Sequence, residues 1–369
     1  MSSEVYFAKA GGRLKQGPLD KIRMLFDAAG FRNVIRNKDL TAVKTHFGER
    51  GNTSYVPIPY VRTIVEEINK CGGKPFLTDT GCLYLSSRYN ARDHLIVAEE
   101  HGFGLSSTLA PILIADGLRG TDVIQVEVNL KHFEKIDVAG AIHDANSLIV
   151  LSHFTGHGLT GFGATIKNLG MGAAGRKMKL AVHDAVRPSV IEEKCDLCEG
   201  CIENCPTGAI SVRDGKIFVD KEVCYGCGEC IGVCPSKAMK VFWVGNPKEA
   251  QEKLAEITYG VLKNKEGKAG FFNFLINITP TCDCWNYSAA PMVGDIGFLA
   301  SKDPVAIDAA AVDLVNKAAL RSSPNAQADS HGELDIIHKT FQVDWRTQIE
   351  YAEEIGLGSS SYKLVQIGD

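Results

Sequence analysis

Apolar residues along this chain alternate between two spacings. Short apolar runs at residues 5–7, 41–47, 74–78, 112–115, 123–128, 148–151, 271–278 and 362–367 read as strands. Between them the spacing widens to that of a helix face. Ile22, Leu25, Phe26 and Ala29 form one stripe that opens near Pro18 and stops at Gly30. Ile64, Val65 and Ile68 form another over 60–70, stopped by Gly72-Gly73. Residues 91–100 and 247–262 read the same way. A later helix opens at Asp303-Pro304, a capping residue followed by one suited to a first turn, and buries Ile307, Ala311, Leu314 and Val315. Strands alternating with helices predict an α/β domain with a mostly parallel sheet.

Cysteine interrupts this pattern. Residues 195–206 read CDLCEGCIENCP and residues 224–235 read CYGCGECIGVCP, each C-x2-C-x2-C-x3-C-P, starting 29 residues apart. Residues 191–243 resemble the two-cluster bacterial ferredoxins, down to the turns Thr207-Gly208-Ala209-Ile210 and Ser236-Lys237-Ala238-Met239. That resemblance implies two [4Fe–4S] clusters with crossed ligands. Cys195, Cys198, Cys201 and Cys234 would hold one, and Cys224, Cys227, Cys230 and Cys205 the other. Zinc ligation and disulfides are the alternatives, although zinc sites normally use separated CxxC pairs. No Gly/Ser/Pro-rich linker flanks the stretch, which predicts an insertion rather than tandem domains. The expected organisation is an α/β domain at 1–188 and 245–369, with a two-cluster ferredoxin-like (α+β) domain inserted at 189–244.

Composition narrows the function classes. The 369 residues carry a formal net charge of −4, so there is no basic footprint for nucleic acid. The first residues lack a basic stretch followed by an apolar one, and the most apolar run, 271–278, is too short to span a bilayer. Thiolates that must stay unoxidised fit a cytoplasmic, reducing compartment.

Candidate chemistry outside the cysteine runs lies in the glycine-rich stretch 153–179. Residues 156–161 match G-x-G-x-x-G, a weak dinucleotide signal, and the absence of G-K-[ST] excludes a P-loop. His46-Phe47-Gly48-Glu49, Asp79-Thr80, Asn90-Ala91-Arg92-Asp93-His94, Gly161-Phe162-Gly163 through Gly172, Cys282-Asp283-Cys284 and Asp295-Ile296-Gly297 resemble landmarks of the prokaryotic domain of unknown function three-six-two family. Its members are usually labelled iron–sulfur cluster-binding proteins. A more distant resemblance is to nickel-dependent lactate racemases. His157, Gly161-Phe162-Gly163, Lys167 and His183 fall in their order, with intervals of ten and sixteen residues between the three polar groups. His94 stands for the partner histidine, and the racemases' Thr-Arg-Pro stretch is absent. The resemblance implies catalytic roles for His157, Lys167 and His94. It also implies a metal ligand at His183, and neighbouring cations would depress the Lys167 pKa.

His46, Glu49, Asp79 and Asp93 sit at strand and helix ends, where α/β sheets bind ligands, or are plain caps and surface charges. Cys282 and Cys284 form a C-x-C pair suited to an additional soft metal or a redox couple, or are buried thiols. The expected function is single-electron transfer through two clusters to or from a pocket for a small anionic substrate or a metal, with a redox partner protein. The alternatives are a pure electron carrier, or a redox sensor or maturation factor without turnover.

Overall fold

The computed structural model describes residues 2–14, 16–83, 86–183, 188–224, 228–240, 246–322 and 335–368. Cys227 and the boundary expected at 244 lie outside them. Eight strands make the main sheet: β1 (Ser3–Lys9), β2 (Leu40–Thr45), β3 (Lys74–Asp79), β4 (Ile112–Ile114), β5 (Ser147–His153), β6 (Ala269–Leu275), β7 (Gly297–Ser301) and β8 (Tyr362–Gln366). Their order is β8-β1-β7-β6-β5-β2-β3-β4. Pairing is parallel except around β7, which runs antiparallel to β1 and β6. The mostly parallel α/β fold expected from the apolar pattern is therefore present.

Both faces of this sheet are covered, so its strands alternate between two apolar cores rather than between core and water. Val43, Ile149, Leu151, Phe272 and Phe274 face a core with α1 (Pro18–Ala28) and α2 (Ile58–Lys70). Ala42, Leu148, Val150, Phe271 and Leu275 face the other. There they meet α4 (Thr165–Gly172), α5 (Arg176–Val182), α6 (Pro247–Leu262) and α7 (Pro304–Ser322). The helix α3 (Ala91–Glu100) follows β3 and is capped by Asn90, whose side chain accepts from the Asp93 amide. Asp303 caps α7 as its sequence suggests, accepting from the amides of Val305 and Ala306.

One expected strand falls outside the sheet. Val123–Glu127 pairs antiparallel with Lys135–Ala139 in a separate ribbon. Two of its five residues are only half-buried and the rest exposed, so its apolar character lines a ribbon edge. The G-x-G-x-x-G match is not a strand–turn–helix either. It spans a tight hairpin of Thr155–His157 and Gly161–Gly163, and α4 begins only beyond it.

The cysteine-bearing residues form a small unit on the flank of this domain. Ser189–Val190 pairs with Met239–Lys240, and Ile210–Arg213 with Lys216–Val219, both antiparallel. Two four-residue helices, Gly200–Glu203 and Glu229–Gly232, carry Cys201 and Cys230. Cys201, Ile210, Cys230, Ile231, Cys234, Ala238 and Met239 make one apolar cluster, to which the larger domain contributes Leu83 and Leu180.

Candidate functional site

The carboxyl ends of β2, β3 and β5 bring buried charges together. Lys44, the fifth residue of β2, is only 1 % exposed. Its ammonium lies 3.0 Å from Asp79 Oδ1 and donates to Asn168 Oδ1 at 2.6 Å. Gly172 makes room for it, because a Cβ there would stand 2.5 Å from Nζ. Asp79 ends β3 and also meets His46 Nδ1 at 2.9 Å, with His94 Nε2 at 3.8 Å. Burial alone would raise the Asp79 pKa, but Lys44, His46 and His94 outweigh it and hold the carboxyl well below its usual value. His94 is fully buried, and among the described residues neither of its ring nitrogens has a hydrogen-bond partner. Burial pushes its pKa far down, so the ring is neutral. Nearby, Glu49 is buried and accepts from Arg88 Nε at 3.0 Å.

The helix α4 supplies the second half of the site. Its first amides, Thr165 and Ile166, donate to the Asp308 carboxylate of α7 at 2.9 and 2.8 Å. Asn273 of β6 donates to the same carboxylate at 2.7 Å. Asn168 is tied to β5 through the Leu151 carbonyl and the Ser152 hydroxyl. Lys167 is thereby aimed at the C-x-C loop, where its ammonium donates to Cys282 Sγ at 3.0 Å. Cys284 hydrogen-bonds Cys282 as well, and this, with Lys167, holds Cys282 well below the usual thiol value against the effect of burial. Cys284 moves the other way and stays a thiol. Burial opposes a charged Lys167, yet Cys282 and Cys284 outweigh it and its pKa is raised. The depressed lysine expected from the sequence is thus corrected: an anionic sulfur, not a cation, is its nearest partner.

Asp283, between the two cysteines, is pinned by His153 Nδ1 at 2.8 Å and Ser54 Oγ at 2.7 Å. His157 Nδ1 lies 2.9 Å from Thr160 Oγ1, and the Thr160 amide donates to the same nitrogen at 3.3 Å. Burial, then Lys167, then His183 push the His157 pKa well down. His183 ends α5.

In the small unit, Cys195, Cys198, Cys201 and Cys234 line a single cavity with Ile217 and Ala238. The fourth cysteine of the second run therefore joins three of the first. The Cys205 sulfur accepts from the Ala209 amide at 3.3 Å, and Cys234 from Met239 at 3.5 Å. Such donors fit a thiolate that binds iron. The unit is held to the α/β domain through Tyr89, whose hydroxyl donates to the carbonyls of Gly228 (3.0 Å) and Glu229 (3.2 Å). Arg176 stacks on the Tyr89 ring at 4.0 Å and pairs with Glu229 at 3.2 Å, and Arg119 reaches the same carboxylate at 2.7 Å.

The family described as Domain of unknown function (DUF362) matches residues 41–313. The chain belongs to the DUF362 family. Short segments are also similar to curated proteins. Pyruvate synthase subunit PorD of Methanothermobacter marburgensis is 38% identical over 79 residues, 21% of this chain and 90% of that protein. Indolepyruvate oxidoreductase subunit IorA of Methanothermobacter thermautotrophicus is 42% identical over 55 residues, 15% of this chain. The chain spans only 9% of the length of that IorA. Among solved structures, the lactate racemase apoprotein of Thermoanaerobacterium thermosaccharolyticum superposes with a TM-score of 0.41 at 12% identity, covering 73% of this chain and 50% of that one.

Against the candidates read from sequence, the DUF362 fold brings Lys167, Cys282 and Cys284 into contact and sets His157 and His183 within electrostatic reach of one another. His94 belongs instead with Asp79 and His46. Asp93 is a helix-end residue bonded to Asn90 and Arg92. Among the described residues no group of three or more His, Cys, Asp or Glu side chains that could hold a metal ion is found. Lys44, Asn168, Arg88 and Asp308 carry no role in the sequence reading. Lys44 lies within the apolar run 41–47 and Asn168 within the landmark stretch 161–172, and no local signal singles out either.

Proposed function

We propose that this chain is an iron–sulfur redox protein that passes single electrons between two [4Fe–4S] clusters and a small anionic substrate in the α/β site. One observation carries the link. Residues 88–94 touch both parts: Tyr89 holds the cysteine-bearing helix, while Arg88 pairs with Glu49 and His94 lies beside Asp79. Cys195, Cys198, Cys201 and Cys234 would hold one cluster, and Cys205, Cys224, Cys227 and Cys230 the other, within a unit bounded near 189 and 244. Bound there, the clusters supply one-electron chemistry. The chain's own residues do the rest. Lys44 and Lys167 draw an anion into a site of low dielectric. His46, its Nδ1 engaged by Asp79, keeps the other ring nitrogen for a proton. The similarity to subunits named for oxidoreductases supports a protein redox partner. Among the described residues no helix is long and apolar enough to cross a membrane.

The test is anaerobic purification with metal and sulfide analysis. About eight irons and eight sulfides per chain are expected, with paramagnetic signals on reduction. Cys234→Ser should damage the cluster of the first run rather than the one nearest in sequence. Zinc in native material, or loss confined to the second run's cluster, overturns the reading. Small carboxylates that reoxidise the reduced protein would identify the substrate class.

A further inference from the structure

Cys282 and Cys284 play no part in the reading above, yet Cys282 Sγ accepts from both Lys167 Nζ and the Cys284 amide. The two thiols share a hydrogen bond, and the donation from the Cys284 amide spans 3.4 Å. The residue between them is fixed on both sides, by His153 and by Ser54. The Cys282 carbonyl accepts from the Trp285 amide at 3.0 Å, which closes the turn. Lys167 is held against Cys282 by a helix whose N-terminus is itself pinned by Asp308. Two sulfurs within hydrogen-bond reach, on a rigid turn, beside a fixed cation, are arranged for chemistry with each other.

From this geometry we infer that Cys282 and Cys284 are a redox-active dithiol that stores two electrons by cycling between dithiol and intramolecular disulfide. The inference rests on the electron-transfer reading and deepens it, since it names a group that turns single electrons into pairs. On oxidation the Cys282 thiolate and the Cys284 thiol give up two electrons singly to one-electron acceptors of the iron–sulfur class named in the electron-transfer reading, one S–S bond forms, and the Cys284 proton leaves to solvent. Reduction is the reverse. A one-electron reductant delivers the first electron to the disulfide, and the Lys167 ammonium offsets the negative charge of the resulting radical anion. A second electron and one proton then open the bond to thiolate and thiol. A ring closed across a single residue is strained, and strained disulfides are the labile ones.

The experiment uses the full-length, anaerobically purified protein, equilibrated in dithiothreitol buffers of graded oxidation and quenched with a maleimide. The peptide spanning 282–284 is then weighed, and the paramagnetic signals of the same samples are recorded. Two adducts under reducing conditions and none after oxidation, with a mass loss of two hydrogens, converting in one two-electron step, is the expected result. Lys167→Met should disfavour the dithiol by about tenfold for each unit by which the thiolate's pKa rises. Cys71→Ser, remote from the site, should change nothing. Two adducts at every poise, or a metal retained on the pair, overturns the inference even if cluster signals are intact. A cycling dithiol without any cluster signal overturns the electron-transfer reading instead. The wild-type trapping decides the matter even if a variant fails to fold.

Discussion

Asp79 answers three basic neighbours at once, and its replacement tests whether they form one unit. Asp79→Asn leaves the buried Lys44 ammonium without its anion, which should cost about 3–5 kcal/mol in denaturant unfolding. Because the folded carboxyl lies well below its ordinary value of 3.8, its contribution is present above that pH and is lost as pH falls through the folded value. His153 and Asp283 behave as a pair with two limits. Burial opposes a charged His153, but Asp283 outweighs it and raises the pKa above 6.5. Stability from His153 is therefore complete below pH 6.5 and fades as pH rises through the folded value. That from Asp283, whose pKa is lowered, is present above pH 3.8 and fades towards acid. Thermal midpoints should fall as pH is raised past neutrality, and His153→Gln should flatten that slope. An unchanged slope in the variant would show that the imidazolium is not the source.

At the scale of the element, α4 is positioned by its N-terminus rather than by its apolar face alone. The Asp308 carboxyl is pushed up to about 6 by burial, so it is ionised at neutral pH and accepts two amides of the first turn. Asp308→Ala should cost about 2 kcal/mol or more, since a cap is lost and buried amides are left unsatisfied. It should also loosen Lys167 from Cys282, which alkylation of Cys282 at fixed pH would read as a slower rate. A substitution that lowers stability equally but leaves this rate unchanged would mark the cap as structural only. The sequence could not reveal this cap. Asp308 lies inside a helix more than a hundred residues away, and nothing local links it to Thr165.

For the whole molecule, the decisive contact is the one between the cysteine-bearing unit and the α/β domain. A Cβ at Gly232 would overlap the Tyr89 ring. Gly232→Ala should therefore undock the unit while leaving its own cysteine cavity intact, seen as faster hydrogen exchange around residues 82–90 with unchanged cluster absorption. Tyr89→Phe should do the same more mildly, because it removes only the two hydrogen bonds from the hydroxyl. Faster exchange throughout the chain would mean a general loss of stability instead.

Local patterns sufficed for much of this. The strand and helix spacings, the Asp303 cap and the doubled cysteine runs are all written within a few residues of where they act, so the α/β fold was legible before any coordinates. What tertiary structure alone decided are the pairings across long separations. Val123–Glu127 has a strand's composition, but its partner is a ribbon rather than the sheet, because register depends on where the remaining chain packs. Lys167 follows a glycine-rich turn that predicted cationic neighbours, while its nearest partner is a sulfur 115 residues away. Lys44, Asp79 and Asn168 come from three separate elements, and the two charges are held because the fold buries Lys44 against Asp79 and brings the Asn168 side-chain carbonyl to the ammonium. A sequence states which groups a chain owns; only the closed core sets the distances and the desolvation that determine their chemistry.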